Sequence, residues 1–458
     1  MPQTWLELVH YYMTGTLQIP VSPSAPLRGL LDEIRTLQLD RQPITFKDTI
    51  PTIKETGMSP KKAHEVSRMA AYIFETIRVN SWSPSALRIV DVGAGQGYLT
   101  RTLKAHLPKT RILALDADEE QTLGAQRWEG RLLPPPSSEN PPITHKTIHI
   151  TPEGLYATVD EWISVTSAPS PNPGGMGGAN HIPVLLVGLH ACGSLTPDIL
   201  RTFYQSGNEP EGWKFAGVVV VGCCYNLMNP GDFPLSKQMR SFSTIDLPTS
   251  AYHLAAQIPT QWLSSLSPPT PIPSVELALR KVTWRALLGQ KLRRTQNDVV
   301  SSDNDFHLNL APGRQLPWSR LPVAKTQNFD INEVGTGATP EMRRLGRLRD
   351  AAYKDWETFL GVAGKKMGVD FSTTGEGTGA GRDVVLEKFL EIVHTLRCLL
   401  GPVVETTIVL DRVGWINENL RLKGYADVQA SIVNLFDQAT GSGRNIAIVI
   451  APSIPSMS

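Results

Sequence analysis

Hydrophobic positions change their spacing along this chain, and the changes divide it into regions. Near the N-terminus Trp5, Leu8, Val9 and Tyr12 recur at helical intervals. Residues 1–50 read as mostly helical, with a proline-rich turn at 19–27. From about Pro60 to Val79, a single apolar stripe runs through Ala63, Val66, Met69, Ala70, Ile73 and Ile77. Ser59 suits the cap of that helix, because its hydroxyl accepts from a free N–H of the first turn. Pro60 suits the first helical position, where no N–H is needed.

After residue 86 the pattern switches to short continuous apolar runs. These are LRIVDVG (87–93), RILALDAD (111–118), KTIHI (146–150), IPVLLVGLH (182–190) and FAGVVVVGCC (215–224). Helical spacing separates them, as in YLTRTLKAHL after the first. Strands alternating with helices predict right-handed βαβ units and a parallel sheet. Unbroken apolarity at 184–187 and 218–221 predicts strands covered on both faces. TTIVLD (406–411) and NIAIVIAP (445–452) read as two late strands, with helices around 384–400 and 413–422. The expected fold is α/β: a Rossmann-like, seven-stranded, mostly parallel sheet with flanking helices. It carries an N-terminal helical extension and a long insertion between the fifth and sixth strands.

Four regions follow. Residues 1–80 form a helical region and 81–295 the first five strands. Residues 296–382 form a polar, glycine-rich insertion with a helical segment, and 383–458 the last helices and strands. Proline and glycine crowd into 132–142 and 167–180; residues 295–338 are polar and turn-rich, and 371–382 glycine-rich. All four segments read as mobile surface loops.

Composition narrows the function classes. At 41% hydrophobic residues the chain can bury a large core, which excludes wholesale disorder. Lys+Arg 44 against Asp+Glu 43 leaves a formal net charge of +1, which excludes a polybasic nucleic-acid coat but not a local basic groove. The four cysteines, Cys192, Cys223, Cys224 and Cys398, are too few for a disulfide framework in 458 residues. They predict a reducing intracellular compartment, cytoplasmic or nuclear, and no disulfide-linked partner. No apolar run approaches ~20 residues, so neither a transmembrane helix nor a membrane partner is expected. The N-terminus lacks the pattern of a secretory signal.

The sharpest local signal is Asp91-Val-Gly93-Ala-Gly95-Gln-Gly97, where a strand feeds a glycine turn that opens a helix. Glycines there permit a tight turn and close approach of backbone to ligand. Asp116 ends the next strand, where a carboxylate can accept from both hydroxyls of a ribose. The spacing G-x-G-x-G after an acid differs from the dinucleotide G-x-G-x-x-G. It resembles the first motif of class I S-adenosylmethionine-dependent methyltransferases. A dinucleotide site and a ligand-free turn are the other readings of the loop.

Two further segments end neighbouring strands at the same sheet edge: Gly188-Leu-His190-Ala-Cys192-Gly193 and Gly222-Cys223-Cys224-Tyr225. Ligands of open parallel sheets sit beyond the carboxyl ends of the strands. His190, Cys192, Cys223, Cys224 and Tyr225 are therefore expected around one pocket. Three roles are open to them. The small residues shape a turn around cofactor and substrate, with His190 hydrogen-bonding; or His190 and the thiolates bind zinc, against which their tight spacing counts; or one cysteine is a nucleophile. The first is preferred, so no metal ligand is assigned. Lys61 and Lys62 start a helix, where positive charge opposes the helix dipole. They are candidates for holding an anionic acceptor, or are simply solvated.

Several segments together are similar to the methyltransferase-like protein 25 family. They are GMSPKKAHEV, DVGAGQGYLT, GLHACGSLTPDIL, VVVVGCCYNLM, FPLSKQM, VTWRALLGQKL, TTIVLDRVGWINE and LFDQATGSGRNIAIVIAP, spread over roughly residues 45–455. The GLHACG and GCCY pair also resembles a eukaryotic tRNA ribose 2′-O-methyltransferase, without that enzyme's zinc-finger cysteines. Where adenine N6-methyltransferases carry N/D-P-P-F/Y, this chain reads Leu189-His190-Ala191-Cys192.

The resemblance implies a methyltransferase that uses S-adenosyl-L-methionine. Gly93, Gly95 and Gly97 would shape the methionine side of its site, Asp116 would bind the ribose, and Asp91 would orient the loop or meet the cofactor amine. His190 is the candidate base. Lys61, Lys62, Cys223, Cys224 and Tyr225 are candidate substrate contacts, for an RNA or protein acceptor. The alternative is a non-catalytic adaptor or sensor that retains the fold.

Overall fold

A computed structural model describes residues 8–9, 25–46, 56–166, 181–205, 212–242, 247–256, 273–300, 345–369, 371, 382–425, 427–438 and 440–454. The chain divides into two compact units: Met1–Pro269 with Thr395–Ser458, and Thr270–His394.

The first unit is built on seven strands: β1 (Arg88–Val92), β2 (Arg111–Asp116), β3 (Thr144–Thr147), β4 (Ile182–Cys192), β5 (Trp213–Cys223), β6 (Gln429–Asn434) and β7 (Ile446–Ala451). Their order across the sheet is β3-β2-β1-β4-β5-β7-β6. Neighbours from β3 to β5 are parallel, whereas β7 runs antiparallel to both β5 and β6. The chain order reverses direction between β1 and β4, and this topological switch point opens a crevice beyond their carboxyl ends.

The helices are α1 (Ala25–Thr36), α2 (Pro60–Val79), α3 (Tyr98–His106), α4 (Glu119–Leu132), α5 (Pro152–Thr166), α6 (Leu195–Gln205), α7 (Pro273–Val300), α8 (Trp356–Met367) and α9 (Val384–Leu422), with shorter turns between them. Helix α2 keeps its expected frame. Ser59 accepts from Lys62 N at 3.3 Å, Pro60 is the first helical residue, and the six stripe residues are buried. They pack with Leu99 and Leu103 of α3 against Ile89, Leu185, Val219 and Val449. The other face of the sheet presents Val90, Leu186, Val220 and Ile450 to α5, α6 and the end of α9, through Val159, Ile199, Ile416 and others. Adjacent residues of one strand thus enter opposite cores, which is why the central strands carry no polar alternation. Each such branched side chain contributes about 1.5–3 kcal/mol through burial.

Two strand expectations are corrected. TTIVLD (406–411) lies inside α9. Glu405, Ile408, Val409, Arg412, Ile416 and Leu420 are all buried, and their three- and four-residue spacing marks a helical face. The sixth strand is instead Gln429–Asn434, an edge strand of mixed polarity. The third strand is Thr144–Thr147, earlier and more polar than 146–150, because it too lies at the sheet edge. The insertion between the fifth and sixth strands is present.

Helix α9 is, by length and composition, long and apolar enough to cross a membrane, although no single apolar run announced it; 50% of its most apolar window is buried within the protein. Among the described residues no other helix meets that test. Two of its buried charges, Glu405 and Asp411, are partnered inside the first unit. Asp411 accepts from the backbone N–H groups of Leu235 and Ser236 at 2.7 and 2.8 Å, and Glu405 pairs with Arg41 at 2.9 Å.

The second unit has its own core of Trp284, Leu287, Leu288, Tyr353, Phe359, Ala363 and Met367. Trp284 Nε1 donates to Glu387 Oε1 at 2.8 Å, and Arg382 pairs with the same carboxylate. The stretch expected to begin as a loop at 295 is helical through Val300. Residues 132–142 lie between α4 and β3, where Ser137 and Asn140 bond each other through their backbones. Residues 167–180, 301–338 and 372–380, like Trp5 and Tyr12, fall outside the described residues.

Candidate active site

The glycine loop leaves β1 and turns into α3. Gly93, Gly95 and Gly97 have φ of +76°, +54° and +68°, in the left-handed region that a side chain disfavours. The backbone N–H groups of Gly93 and Ala94 donate to Leu115 O at 2.8 and 2.9 Å, which anchors the loop to the end of β2. Two of the glycines are closely packed: a Cβ at Gly97 would lie 3.1 Å from Ala125 Cβ of α4, and one at Gly93 would lie 3.1 Å from Leu195 Cδ2. Gly95 differs: a Cβ there would meet only Gln121 Oε1, at 4.0 Å.

Asp116 fastens this loop to the tip of β2. Its Oδ2 accepts from Gly95 N at 2.8 Å and its Oδ1 from Asp118 N at 2.9 Å. Asp118 in turn caps α4, accepting from Glu120 N and Gln121 N. Each carboxylate oxygen of Asp116 keeps a second acceptor position, and the side chain is half-buried on a cavity wall.

That cavity has a volume of about 770 Å³. Asp91, Gly93, Gly95 and Asp116 line one side, and Lys62, His190, Cys192 and Asn229 another. Ala117, Ile150, Leu189 and Leu195 supply apolar wall. Among the lining residues are three carboxylates, Asp91, Asp116 and Asp198, but a single lysine, Lys62. Asp91 is 1% exposed and accepts from Thr100 Oγ1 at 2.5 Å. Burial pushes its carboxyl up to about 6, against the Thr100 bond and with help from the charge of Asp116.

The two lysines and His190 meet through a residue that sequence reading passed over. Glu65 Oε2 lies 3.1 Å from His190 Nε2 and 3.2 Å from Lys62 Nζ. Lys62 Nζ lies 2.5 Å from the same His190 nitrogen. A protonated Nε2 donates to Glu65, and an unprotonated one accepts from Lys62. Glu65 is 1% exposed. Burial alone would raise its carboxyl, but the bonds and charges of His190 and Lys62 outweigh it and hold it below the usual carboxylate value. Lys61 stands apart from the cavity, 3.9 Å from Glu65 Oε1, with a mostly exposed side chain. The anion that the lysine pair called for is thus an internal carboxylate one helical turn away. The signal was available: Glu65 interrupts the buried face of α2 three residues after Lys62.

The cysteine segments do converge. The sulfurs of Cys192, Cys223 and Cys224 all lie within 4.8 Å of one another, and none of the four cysteines is in a disulfide. The Cys223 bond draws Cys192 down, but its contact with Cys224 and its burial outweigh that and push it up to about 11; the thiols of Cys192 and Cys224, and then burial, raise Cys223. Cys224 is pulled down by hydrogen bonds from Cys192 and Cys223, aided by the charges of Arg444 and His190. Only Cys192 of the three lines the cavity.

Tyr225, expected at the pocket, is not there. It is 1% exposed and packs with Met228, Phe233, Tyr252 and Ile408. Its hydroxyl donates to Glu405 Oε1 at 3.1 Å. A short turn after Cys224 carries the ring inward, away from the cavity. Asp198, Gln96, Gln121, His149, Ser194 and Asn229 also reach the cavity unforeseen, because loops and helix starts bring them there from separate parts of the sequence.

Residues 61–231 match the family model described as "Methyltransferase domain". The matched span covers the glycine loop, the cavity and the cysteine cluster. Two curated relatives carry the name "Probable methyltransferase-like protein 25". The one from Homo sapiens is 25% identical over 55% of this chain and 34% of its own length. The one from Mus musculus is 23% identical over 55% of this chain and 35% of its own length. The chain therefore spans about a third of the length of the curated relatives it matches. A solved S-adenosylmethionine-dependent methyltransferase from Clostridium acetobutylicum is 13% identical over 34% of this chain and 49% of its own, with a TM-score of 0.20.

Proposed function

We propose that the chain is an S-adenosylmethionine-dependent methyltransferase. The observation that carries this reading is Asp116. One carboxylate oxygen clamps the glycine loop at Gly95, while the side chain lines a cavity large enough for a nucleoside with a methionine tail. Ala117, the next residue, and Ile150 give the same cavity apolar wall for a base.

Charge selects the ligand class. Asp198 is paired to Arg201 and Lys62 to Glu65, which leaves Asp91 and Asp116 to suit a cationic sulfonium and repel a pyrophosphate. The same balance disfavours the dinucleotide reading of the loop.

Methyl transfer is a displacement at carbon. The acceptor's lone pair forms the new bond to the methyl group as the carbon–sulfur bond breaks and its electrons return to sulfur. Positioning supplies much of the rate for such a step. Where the acceptor atom must also lose a proton, His190 on the cavity wall takes it, and Glu65 gives the protonated ring a carboxylate partner. Lys62, neutralised by Glu65, aligns the histidine rather than gripping a phosphate. The acceptor belongs to the RNA-or-protein class, and cysteines outside any disulfide suit an intracellular setting.

The test is transfer of labelled methyl groups from S-adenosylmethionine to RNA and protein fractions. The wild-type chain is expected to label one of them and a folded Asp116→Asn variant neither. Cofactor binding without transfer to any fraction would instead favour a sensor or adaptor.

A further inference from the structure

The three converging cysteines have no part in that reaction, and their geometry points to a ligand of their own. Cys192 and Cys223 end neighbouring parallel strands and are paired in register, so their side chains share a face. Their sulfurs are 3.2 Å apart. Cys224 follows directly. In an extended strand, consecutive side chains point to opposite faces, and Cys224 would turn away from its neighbour. It does not, because its backbone is left-handed, with φ +49° and ψ +44°. That conformation is disfavoured for a residue with a Cβ. Only one other non-glycine residue, Ser81, has a positive φ among the described residues. The strain brings a third sulfur to the first two, all within 4.8 Å of one another.

We propose that Cys192, Cys223 and Cys224 form a tri-thiolate site for a thiophilic divalent metal, zinc in the cell, at the edge of the cavity. Tetrahedral zinc holds thiolate sulfurs at about 2.3 Å, which places them about 3.8 Å apart. The cluster meets that spacing with shifts of about an ångström or less. Among the described residues no other group of histidine, cysteine and acidic side chains has this geometry. Three thiolates around a dication leave one negative charge, and Arg444 brings positive charge to the cluster. Cys192 lines the cavity, so a metal held there would have the cavity beside it as the source of a fourth ligand, a water or a substrate atom. Adjacent cysteines are closer in sequence than the usual ligand pairs, and the left-handed turn at Cys224 removes that objection.

The site is independent of the cofactor reading and is tested without S-adenosylmethionine. Full-length protein is purified under reducing conditions, its metal is counted by mass spectrometry, and the metal-free form is titrated with cobalt(II). The expected result is about one zinc per chain, and on cobalt(II) addition an intense thiolate-to-metal charge-transfer band with the visible bands of a tetrahedral site. Cys192→Ser, Cys223→Ser and Cys224→Ser each abolish stoichiometric binding, while Cys398→Ser, a buried cysteine in α9, leaves it unchanged. The cobalt spectrum of the wild type needs no variant to fold. Its absence in reduced, folded protein would overturn the proposal. So would stoichiometric metal retained by a Cys192→Ser/Cys224→Ser double variant.

Discussion

Glu65 Oε2 stands 3.1 Å from His190 Nε2, joining the first helix of the domain to the end of its fourth strand. The carboxylate is buried and the histidine lines the cavity, so Glu65 is a positioning residue. Glu65→Gln keeps the shape and removes the charge. It is expected to lower kcat and change the pH profile of transfer, while the affinity for S-adenosylmethionine stays within about twofold. Equal losses in cofactor affinity and kcat would show a merely structural role.

The same carboxyl makes a prediction for stability. Its value in the folded chain lies below the ordinary 4.5. Its contribution is therefore present above pH 4.5 and is lost as pH falls through the lower folded value. Thermal unfolding followed against pH is expected to show a shallower acid limb for Glu65→Gln than for wild type.

Asp91 behaves in the opposite sense. Its folded value, about 6, lies above the ordinary 3.8, so the contribution is fully present below 3.8 and is lost as pH rises through about 6. At neutral pH the buried charge costs about 2–3 kcal/mol. Asp91→Asn is expected to raise the melting temperature at neutral pH. If the charge serves a sulfonium, wild-type affinity for S-adenosylmethionine rises as pH passes through about 6, and the affinity for S-adenosylhomocysteine, which lacks the sulfonium charge, rises less. Parallel pH curves for the two ligands would count against that use of Asp91.

Two glycines separate folding from binding. Gly97→Ala places a methyl 3.1 Å from Ala125 Cβ and 3.3 Å from Arg101 Nη1, on top of a left-handed backbone. It should destabilise the chain by more than the ~1–2 kcal/mol of the backbone alone. Gly95→Ala meets open space, so its cost should stay near ~1–2 kcal/mol. Its methyl lies on the cavity lining, so cofactor affinity should fall at least about tenfold in a folded protein. Denaturant unfolding and ligand titration on both variants check the contrast.

Tyr225→Phe tests the corrected position of that residue. It removes the hydroxyl that donates to the buried Glu405. The expected loss of stability is about 1–3 kcal/mol, with cofactor affinity unchanged. A selective loss of acceptor binding would return Tyr225 to the substrate site.

Much of this arrangement was legible in the sequence, for identifiable reasons. Val218–Val221 reads as a central strand because both faces are covered and no polar residue is tolerated. The glycine loop and Asp116 read as a site because their spacing is fixed by a turn. TTIVLD misled because β-branched residues such as Ile408 and Val409 suit a strand locally, yet here they lie on the buried face of a long helix. The true sixth strand was missed because an edge strand needs little apolarity. Tyr225 was misplaced because strand order locates a segment but not the direction of a side chain after a left-handed residue. The link from Lys62 to His190 through Glu65 spans more than a hundred residues and becomes visible only once α2 lies against β4.

The most direct test of the central claim is calorimetric titration of the folded full-length chain with S-adenosylmethionine, repeated on Asp116→Asn. The account predicts saturable binding of one ligand per chain that is lost in the variant, because Asp116 both shapes the loop at Gly95 and faces the ligand. No binding by folded wild-type protein, or equal binding by both, would contradict it.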